Sequence, residues 1–140
     1  MAGYSKRTLV EKLGIQRDFN ALVLNPPPLY FNLLGTLPPR TTFLTQLKPA
    51  LDFIHYFSTD RHQYQKDLLQ LRKAMAPHGM LWVSWPKRSS GIQCDLTERD
   101  VRVIALKEKL VDIKVCAVDD TWSGLKLVIP VKLRPKKKKA

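Results

Sequence analysis

Short apolar runs alternate with amphipathic stretches along this chain, and the alternation predicts the order of its secondary structure. Four runs are apolar nearly throughout, as parallel strands buried on both faces are, and two β-rich runs follow near the C-terminus. The predicted strands cover 21–24, 41–47, 52–57 and 80–85, and a closing antiparallel hairpin joins 111–118 to 125–131. The hairpin turn contains Asp, Ser and Gly, which favour tight turns.

Helical periodicity fills the segments between these strands. The clearest helix begins at Thr59 or Asp60 and carries Tyr64, Leu68, Leu71 and Met75 on one face. A capping box of Thr97 and Asp100 predicts the start of another helix. The predicted helices cover 6–13, 28–34, 60–75 and 97–109, with Ser5 as the first N-cap and Gly14 and Gly35 as stops.

This order of elements predicts an α/β fold. We expect a three-layer Rossmann-like sandwich, with a mostly parallel sheet and a C-terminal antiparallel hairpin. The order of segments resembles a shortened class I methyltransferase fold that lacks one strand. One domain is expected over residues 1–133, followed by a basic disordered tail over 134–140.

A closer resemblance extends over nearly the whole chain. The motifs are AGYS at 2–5, KLGI at 12–15, LNPPP at 24–28, LWVSWPK at 81–87, SG at 90–91, DLTE at 95–98 and VCAVDDTWSGLKLV at 115–128. Together they resemble a family of small bacterial proteins known only as a domain of unknown function. The resemblance implies a bacterial cytosolic protein of this fold, and it brings no catalytic residues with it.

Composition agrees with one globular domain. The chain has 140 residues, of which 44% are apolar, and this size is enough for a core without disulfides or a structural metal. No apolar run approaches the roughly 18 residues of a membrane span, and the N-terminus lacks a signal-peptide pattern, so we expect a cytoplasmic protein without a membrane partner. Cys94 and Cys116 fit no zinc-ligand spacing and are expected to be reduced structural thiols.

The net charge is +12, and five of the 24 basic residues lie in the tail, which leaves the body at +7. A basic surface attracts anions through a long-range, salt-sensitive field. Two partners are therefore open, a small anionic ligand and a nucleic acid bound by the body and tail. A merely solvated basic surface is the alternative.

Ligands of open α/β sheets bind at the carboxyl ends of the strands. The segments that follow predicted strands are 25–28, 46–49, 58–60 and 85–91. A methyltransferase of this fold carries a Gly-rich loop after its first strand, where this chain has Asn25 and three prolines. Such an enzyme also carries an acidic residue after its second strand, where this chain has TQLK. These departures count against S-adenosylmethionine (SAM) bound in the usual manner. NPPP with Tyr30 resembles the NPPY tetrapeptide of amino-group methyltransferases. It follows the first strand instead of the fourth, however, and a rigid prolyl turn into a helix is the preferred interpretation.

The segment after the fourth strand offers a candidate anion pocket. Trp85 is placed at the mouth of the sheet, and Lys87 and Ser90 supply a cation and a hydroxyl. With Asn25 they form the predicted ligand-binding set, against the alternative of core tryptophans and a solvated loop. The pair Asp119 and Asp120 is assigned to turn chemistry instead of metal binding.

The sequence shows no Ser/His/Asp order, no phosphate-binding Walker loop and no HExxH, so it names no catalytic residue, metal or cofactor. The leading expectation is a non-catalytic Rossmann-like domain that binds a small anionic ligand or a partner at the carboxyl edge of its sheet. One alternative is a SAM-dependent methyltransferase with an altered cofactor loop. The other is a basic nucleic-acid-binding protein.

Overall fold

A computed structural model describes residues 7–135. Its strands are β1 (Asn20–Leu24), β2 (Thr42–Leu44), β3 (Leu51–Phe57), β4 (Met75–Pro86), β5 (Val111–Ala117) and β6 (Trp122–Val128). Its helices are α1 (Leu9–Leu13), α2 (Tyr30–Leu34), α3 (Arg61–Ala74) and α4 (Glu98–Lys107), with short 3₁₀ turns at Arg88–Ser90 and Val131–Leu133.

All six strands belong to one sheet of order β2-β1-β3-β4-β6-β5. The first four strands are parallel, and β6 runs antiparallel to both β4 and β5. The expected α/β sandwich with a C-terminal antiparallel pair is therefore confirmed. Parallel strands leave their carboxyl ends at a common edge, and the candidate site lies there.

Both faces of the sheet are covered by helices. On one face α1 and α2 pack over β1, β3 and β4, where Trp82 is fully buried and donates its indole N–H to the Leu13 carbonyl over 2.9 Å. On the other face α3 and α4 bury Leu68 and Val101 against the sheet. Two apolar layers flanking one sheet give the three-layer arrangement.

Helix α1 begins at a different cap from the predicted one. Thr8 accepts a hydrogen bond from the backbone N–H of Glu11, and the Glu11 carboxylate accepts one from the backbone N–H of Thr8. This reciprocal capping box starts the helix three residues after Ser5, which lies outside the described residues. Gly14 ends the helix with a φ of 82°, as predicted.

Three strands differ from prediction. β6 covers Trp122–Val128 instead of 125–131, because Trp122 already pairs with Pro86 of β4, so Ser123 and Gly124 of the predicted turn lie in the strand. β2 has three residues instead of seven, because the chain must cross β1 and reach β3 through residues 45–50 alone. β4 begins at Met75, directly after α3, because Met75 already pairs with Leu51. The predicted Pro–Gly break is therefore an irregularity inside the β3–β4 ladder.

The end of the described chain turns back onto the domain. Arg134, the first residue of the predicted tail, donates its Nε–H to the Ile129 carbonyl over 2.9 Å. Residues 136–140 of that tail lie outside the described residues. No helix within 7–135 has the length and hydropathy of a membrane span.

Candidate functional site

A cavity of about 310 Å³ lies at the carboxyl ends of β1 and β3, beside the start of β6. Its lining consists of Asn25, Tyr56, Phe57, Ser58, Thr59, Asp60, Gln63 and Trp122. Most of these side chains carry hydroxyl, carboxylate or amide groups, and the rest are aromatic. This is the edge at which open α/β sheets bind their ligands.

The β1 side of this cavity depends on the unusual backbone of Asn25. Asn25 has a φ of 58°, a left-handed conformation that glycine usually supplies and that Asn tolerates better than most residues. Its side-chain amide donates to the Phe57 carbonyl over 3.2 Å and so joins the ends of β1 and β3. The prolines at 26–28 then offer no N–H donor before α2.

The β3 side is a tight polar turn that leads into α3. The Ser58 hydroxyl accepts from the backbone N–H of Asp60 and donates to the Asp60 carbonyl, both over 3.1 Å. Asp60 Oδ1 accepts from the backbone N–H of Gln63 over 2.8 Å and caps α3. This cap uses one oxygen of the carboxylate, and the other is left to face the cavity or solvent.

A second cavity of about 230 Å³ adjoins the first on the α3 face of the sheet. Both are lined by Asn25 and Tyr56, and the second adds Leu24, Leu47, Asp67, Gln70 and Leu71. The Tyr56 hydroxyl donates to Asp67 Oδ2 over 2.7 Å. Burial, together with the Asp67 carboxylate, holds the pKa of Tyr56 above its usual value, so this phenol stays a neutral donor.

The four predicted ligand residues do not converge on one cavity. Asn25 lines the two cavities above, whereas buried Trp85 lines a separate one of about 280 Å³. Lys87 Nζ donates to the Asp119 carbonyl over 3.0 Å, and the Ser90 hydroxyl accepts from the Ile92 N–H over 3.2 Å. Lys87 thus joins the end of β4 to the loop between β5 and β6, Ser90 holds its own loop, and ligand contact by these residues stays a prediction.

Asp119, the first of the two acidic residues in the hairpin, stabilises the turn as predicted. Asp119 Oδ1 accepts from the backbone N–H groups of Thr121 and Trp122 over 2.8 and 2.7 Å. Its carboxylate oxygen is thus used in closing the loop between β5 and β6. Across residues 7–135, the structure brings no three His, Cys, Asp or Glu side chains together as a candidate metal site.

The sequence pattern predicted a ligand site at the segment 58–60, but it did not identify Tyr56, Gln63 or Trp122 as part of that site. Gln63 follows the N-cap Asp60 by three residues, and this capping spacing is a signal that places it on the first turn of α3. Trp122 comes from the distant β6, and only strand order brings it beside β3.

No protein-family model and no curated protein matches the sequence. Solved structures do match. A SAM-dependent methyltransferase from Aquifex aeolicus has a TM-score of 0.61 and 14% identity, over 86% of this chain and 88% of that one. Magnesium protoporphyrin IX methyltransferase from Synechocystis, with bound SAH, has a TM-score of 0.59 and 12% identity, over 86% and 78% of the two chains. A TehB-like SAM-dependent methyltransferase from Corynebacterium glutamicum has a TM-score of 0.55 and 8% identity, over 91% and 90%.

The chain therefore has a class I methyltransferase fold in a shortened form. The leading expectation, a non-catalytic domain that binds a small anionic ligand or a partner, is wrong, because these neighbours are methyltransferases and favour the stated alternative. Identities this low show the fold alone. The activity must be argued from the residues of the site.

The matched structures include SAM-dependent methyltransferases, so the residues at the carboxyl edge can be compared with what SAM would need. The usual glycine cradle is replaced by prolines, but Asn25 adopts the left-handed turn that such a cradle needs. No carboxylate follows β2; the carboxylates that line these cavities are Asp60, which caps α3, and Asp67, whose two oxygens accept from the Tyr56 hydroxyl and the Gln63 amide. Carboxylates suit a ligand with a sulfonium and an ammonium group.

Proposed function

We propose that this chain is a SAM-dependent methyltransferase with an altered cofactor loop. The observation that carries the proposal is the pair of adjoining cavities at the carboxyl ends of β1 and β3. They meet at Asn25 and Tyr56 and combine polar donors and acceptors with aromatic walls. The methyltransferase fold places these cavities at the edge where open α/β sheets take their ligands.

In this proposal Asp60 is the main polar contact for the cofactor. Its carboxylate would accept from the ammonium or ribose hydroxyl groups, and Gln63 and Ser58 would add neutral hydrogen bonds. Phe57 and Trp122, whose rings meet edge to face at 5.2 Å, would present aromatic surface to the adenine or the sulfonium. When bound, the cofactor supplies a methyl group on a positively charged sulfur.

We also infer that the chain belongs to the small bacterial family that its motifs resemble and acts in the cytoplasm. The support is the set of motifs at 24–28, 81–87 and 115–128, which includes the cofactor loop and the strand that contributes Trp122. Within 7–135 the structure also has no membrane-spanning helix. Fractionation of the native host would test the location.

The test is binding of S-adenosylhomocysteine, followed by thermal unfolding and isothermal titration. Ligand at 100 times its dissociation constant adds about 2.7 kcal/mol to stability. For a domain of this size, that raises Tm by roughly 8 °C. No shift at millimolar ligand and no titration heat would contradict the proposal.

The variant Asp60→Ser separates ligand binding from helix capping. Serine caps a helix about as well as aspartate does, so α3 is kept while the carboxylate is lost. We expect affinity for S-adenosylhomocysteine to fall about tenfold, which corresponds to about 1.4 kcal/mol. Asp112→Ser is the matched control, because Asp112 makes a surface ion pair with Arg102 and lines neither cavity. Equal affinity in both variants would remove Asp60 from the site.

A further inference from the structure

A separate cavity of about 380 Å³ lies at the opposite edge of the sheet from the proposed cofactor site. It is lined by Leu69, Arg72, Lys107, Glu108, Lys109 and Leu133. Helices α3 and α4 both end here, α3 directly before β4 and α4 three residues before β5. These strands are parallel to one another through β6, so both begin at the amino edge of the sheet.

Arg72 has an unsatisfied donor in this region. Its Nε–H is buried and has no hydrogen-bond partner, and no acidic residue within 7–135 forms an ion pair with it. A buried donor without an acceptor destabilises the fold, and more so when it is charged. Because the Nε atom is shielded from water, an acceptor from outside the chain would reach it only if the Arg72 side chain shifted toward the cavity that it lines.

The surrounding charge favours an anion as this acceptor. Lys107 and Lys109 are both exposed and line the same cavity, whereas Glu108 is the one carboxylate in the lining. The C-terminal ends of helices attract cations, which accounts for a basic residue such as Lys107 in the last turn of α4. The attraction between a helix C-terminus and a cation does not provide Arg72 Nε with a hydrogen-bond acceptor. The unsatisfied donor therefore needs a separate explanation.

We propose that this cavity binds the phosphate ester of a nucleotide, either free or within a polynucleotide backbone. The planar guanidinium of Arg72 matches a phosphate oxyanion, and the two lysines add charge. Leu69 and Leu133, each 44% exposed, give an apolar wall for a sugar or base. The chain continues from Leu133 into four consecutive lysines, which adds positive charge close in sequence to the cavity.

The test measures binding of three probes by fluorescence anisotropy or competition at low salt: adenosine monophosphate, inorganic phosphate and a labelled single-stranded RNA. We expect Arg72→Met, which keeps the apolar stem, to weaken binding about tenfold. Lys66→Met is the matched control, because Lys66 is an exposed cation on the same helix and does not line the cavity. It should change affinity by no more than about twofold.

A second variant guards against a folding defect in Arg72→Met. Lys109 has a φ of 60°, and asparagine is well suited to that left-handed conformation, so Lys109→Asn removes the charge while keeping the backbone. It should also weaken binding, at an unchanged Tm. Affinity unaffected by both cavity variants, or lowered equally by Lys66→Met, would overturn the proposal, as would no binding of adenosine monophosphate or RNA at millimolar protein.

The probes distinguish the two sources of the phosphate. Adenosine monophosphate that binds and is displaced by inorganic phosphate, with shallow salt dependence, indicates a free nucleotide. RNA binding with a steep salt dependence, and no measurable affinity for the mononucleotide, indicates a polynucleotide backbone. Neither result depends on S-adenosylhomocysteine binding, so this proposal and the methyltransferase proposal can fail separately.

Discussion

A chain of buried polar side chains runs across the sheet from α2 to β4. His55 is fully buried; its Nδ1 hydrogen-bonds the Tyr30 hydroxyl over 2.8 Å, and its Nε2 hydrogen-bonds the Ser84 hydroxyl over 2.7 Å. The ring also stacks on Phe57 with a centroid distance of 4.1 Å. Each buried polar group thus has a partner, which is the condition for placing such groups in a core. In sequence His55 is a lone histidine in an apolar run, and no spacing rule identifies its partners.

The buried network around His55 makes the free energy of unfolding depend on pH in the acid range. Burial lowers the pKa of His55 from 6.5 to about 3. Below pH 6.5 His55 binds a proton in the unfolded chain but stays neutral in the folded protein. The stabilisation that is present above pH 6.5 is therefore lost as the pH falls toward 3. The loss attributable to this residue approaches about 1.4 kcal/mol per pH unit.

Urea unfolding of the wild type and of His55→Gln at several pH values measures this effect. Glutamine can donate and accept but does not titrate, so its unfolding free energy should fall less steeply between pH 6.5 and about 3. Parallel curves for the two proteins would show that His55 does not carry the acid sensitivity.

At the scale of elements, the junction of α3 and β4 shows what local pattern misses. Pro77 and Gly79 favour a break, and the apolar run from Met80 favours a strand. In the structure Met75 pairs with Leu51 and Met80 pairs with Phe53, so the break is a bulge within one strand. The presence of a strand was predictable from its own residues, but the residue at which β4 begins depends on a partner strand that is remote in sequence.

Gly79→Ala should be severely destabilising. A Cβ on residue 79 would lie 2.5 Å from the Leu51 carbonyl oxygen, and backbone cannot move aside as a flexible side chain can. We expect a loss of at least about 3 kcal/mol in unfolding free energy. Gly91→Ala is the control, since a Cβ there meets nothing within 4 Å and the cost of its left-handed φ is about 1 kcal/mol. Similar denaturation midpoints for the two variants would contradict this account.

On the scale of the whole molecule, the sheet is strongest at its centre and weakest at the β2 edge. β3 and β4 are flanked by strands on both sides and carry most of the buried residues of the sheet. β2 has three residues and one partner, β1, and its side chains are partly or fully exposed. Elements with few buried contacts open locally at low free-energy cost.

Native-state hydrogen exchange would reveal this gradient. Amides of Phe53, Ile54 and Val83 should exchange only through global unfolding, whereas the amide of Leu44 should exchange at least tenfold faster. The measurement needs low denaturant and residue-resolved detection. Protection of Leu44 equal to that of Ile54 would show that the edge is held by more than β1.

Periodicity and capping residues determined much of this protein. Apolar runs gave the strands, the 3.6-residue repeat of Tyr64, Leu68 and Leu71 gave α3, and Thr97 with Asp100 gave the start of α4. Their order along the chain predicted the α/β sandwich, because connection rules leave few ways to assemble it. These are local properties, which the identities of neighbouring residues determine.

The tertiary structure alone decided the site. The adjacency of Asn25, Asp60 and Trp122 follows from the strand order, which brings the end of β1 beside β3 and the start of β6 within reach. The same holds for Arg72 beside Lys109, which packing of α3 against α4 brings together. A cavity or an unpaired donor depends on contacts between residues distant in the chain, and single-chain patterns carry no information about those distances.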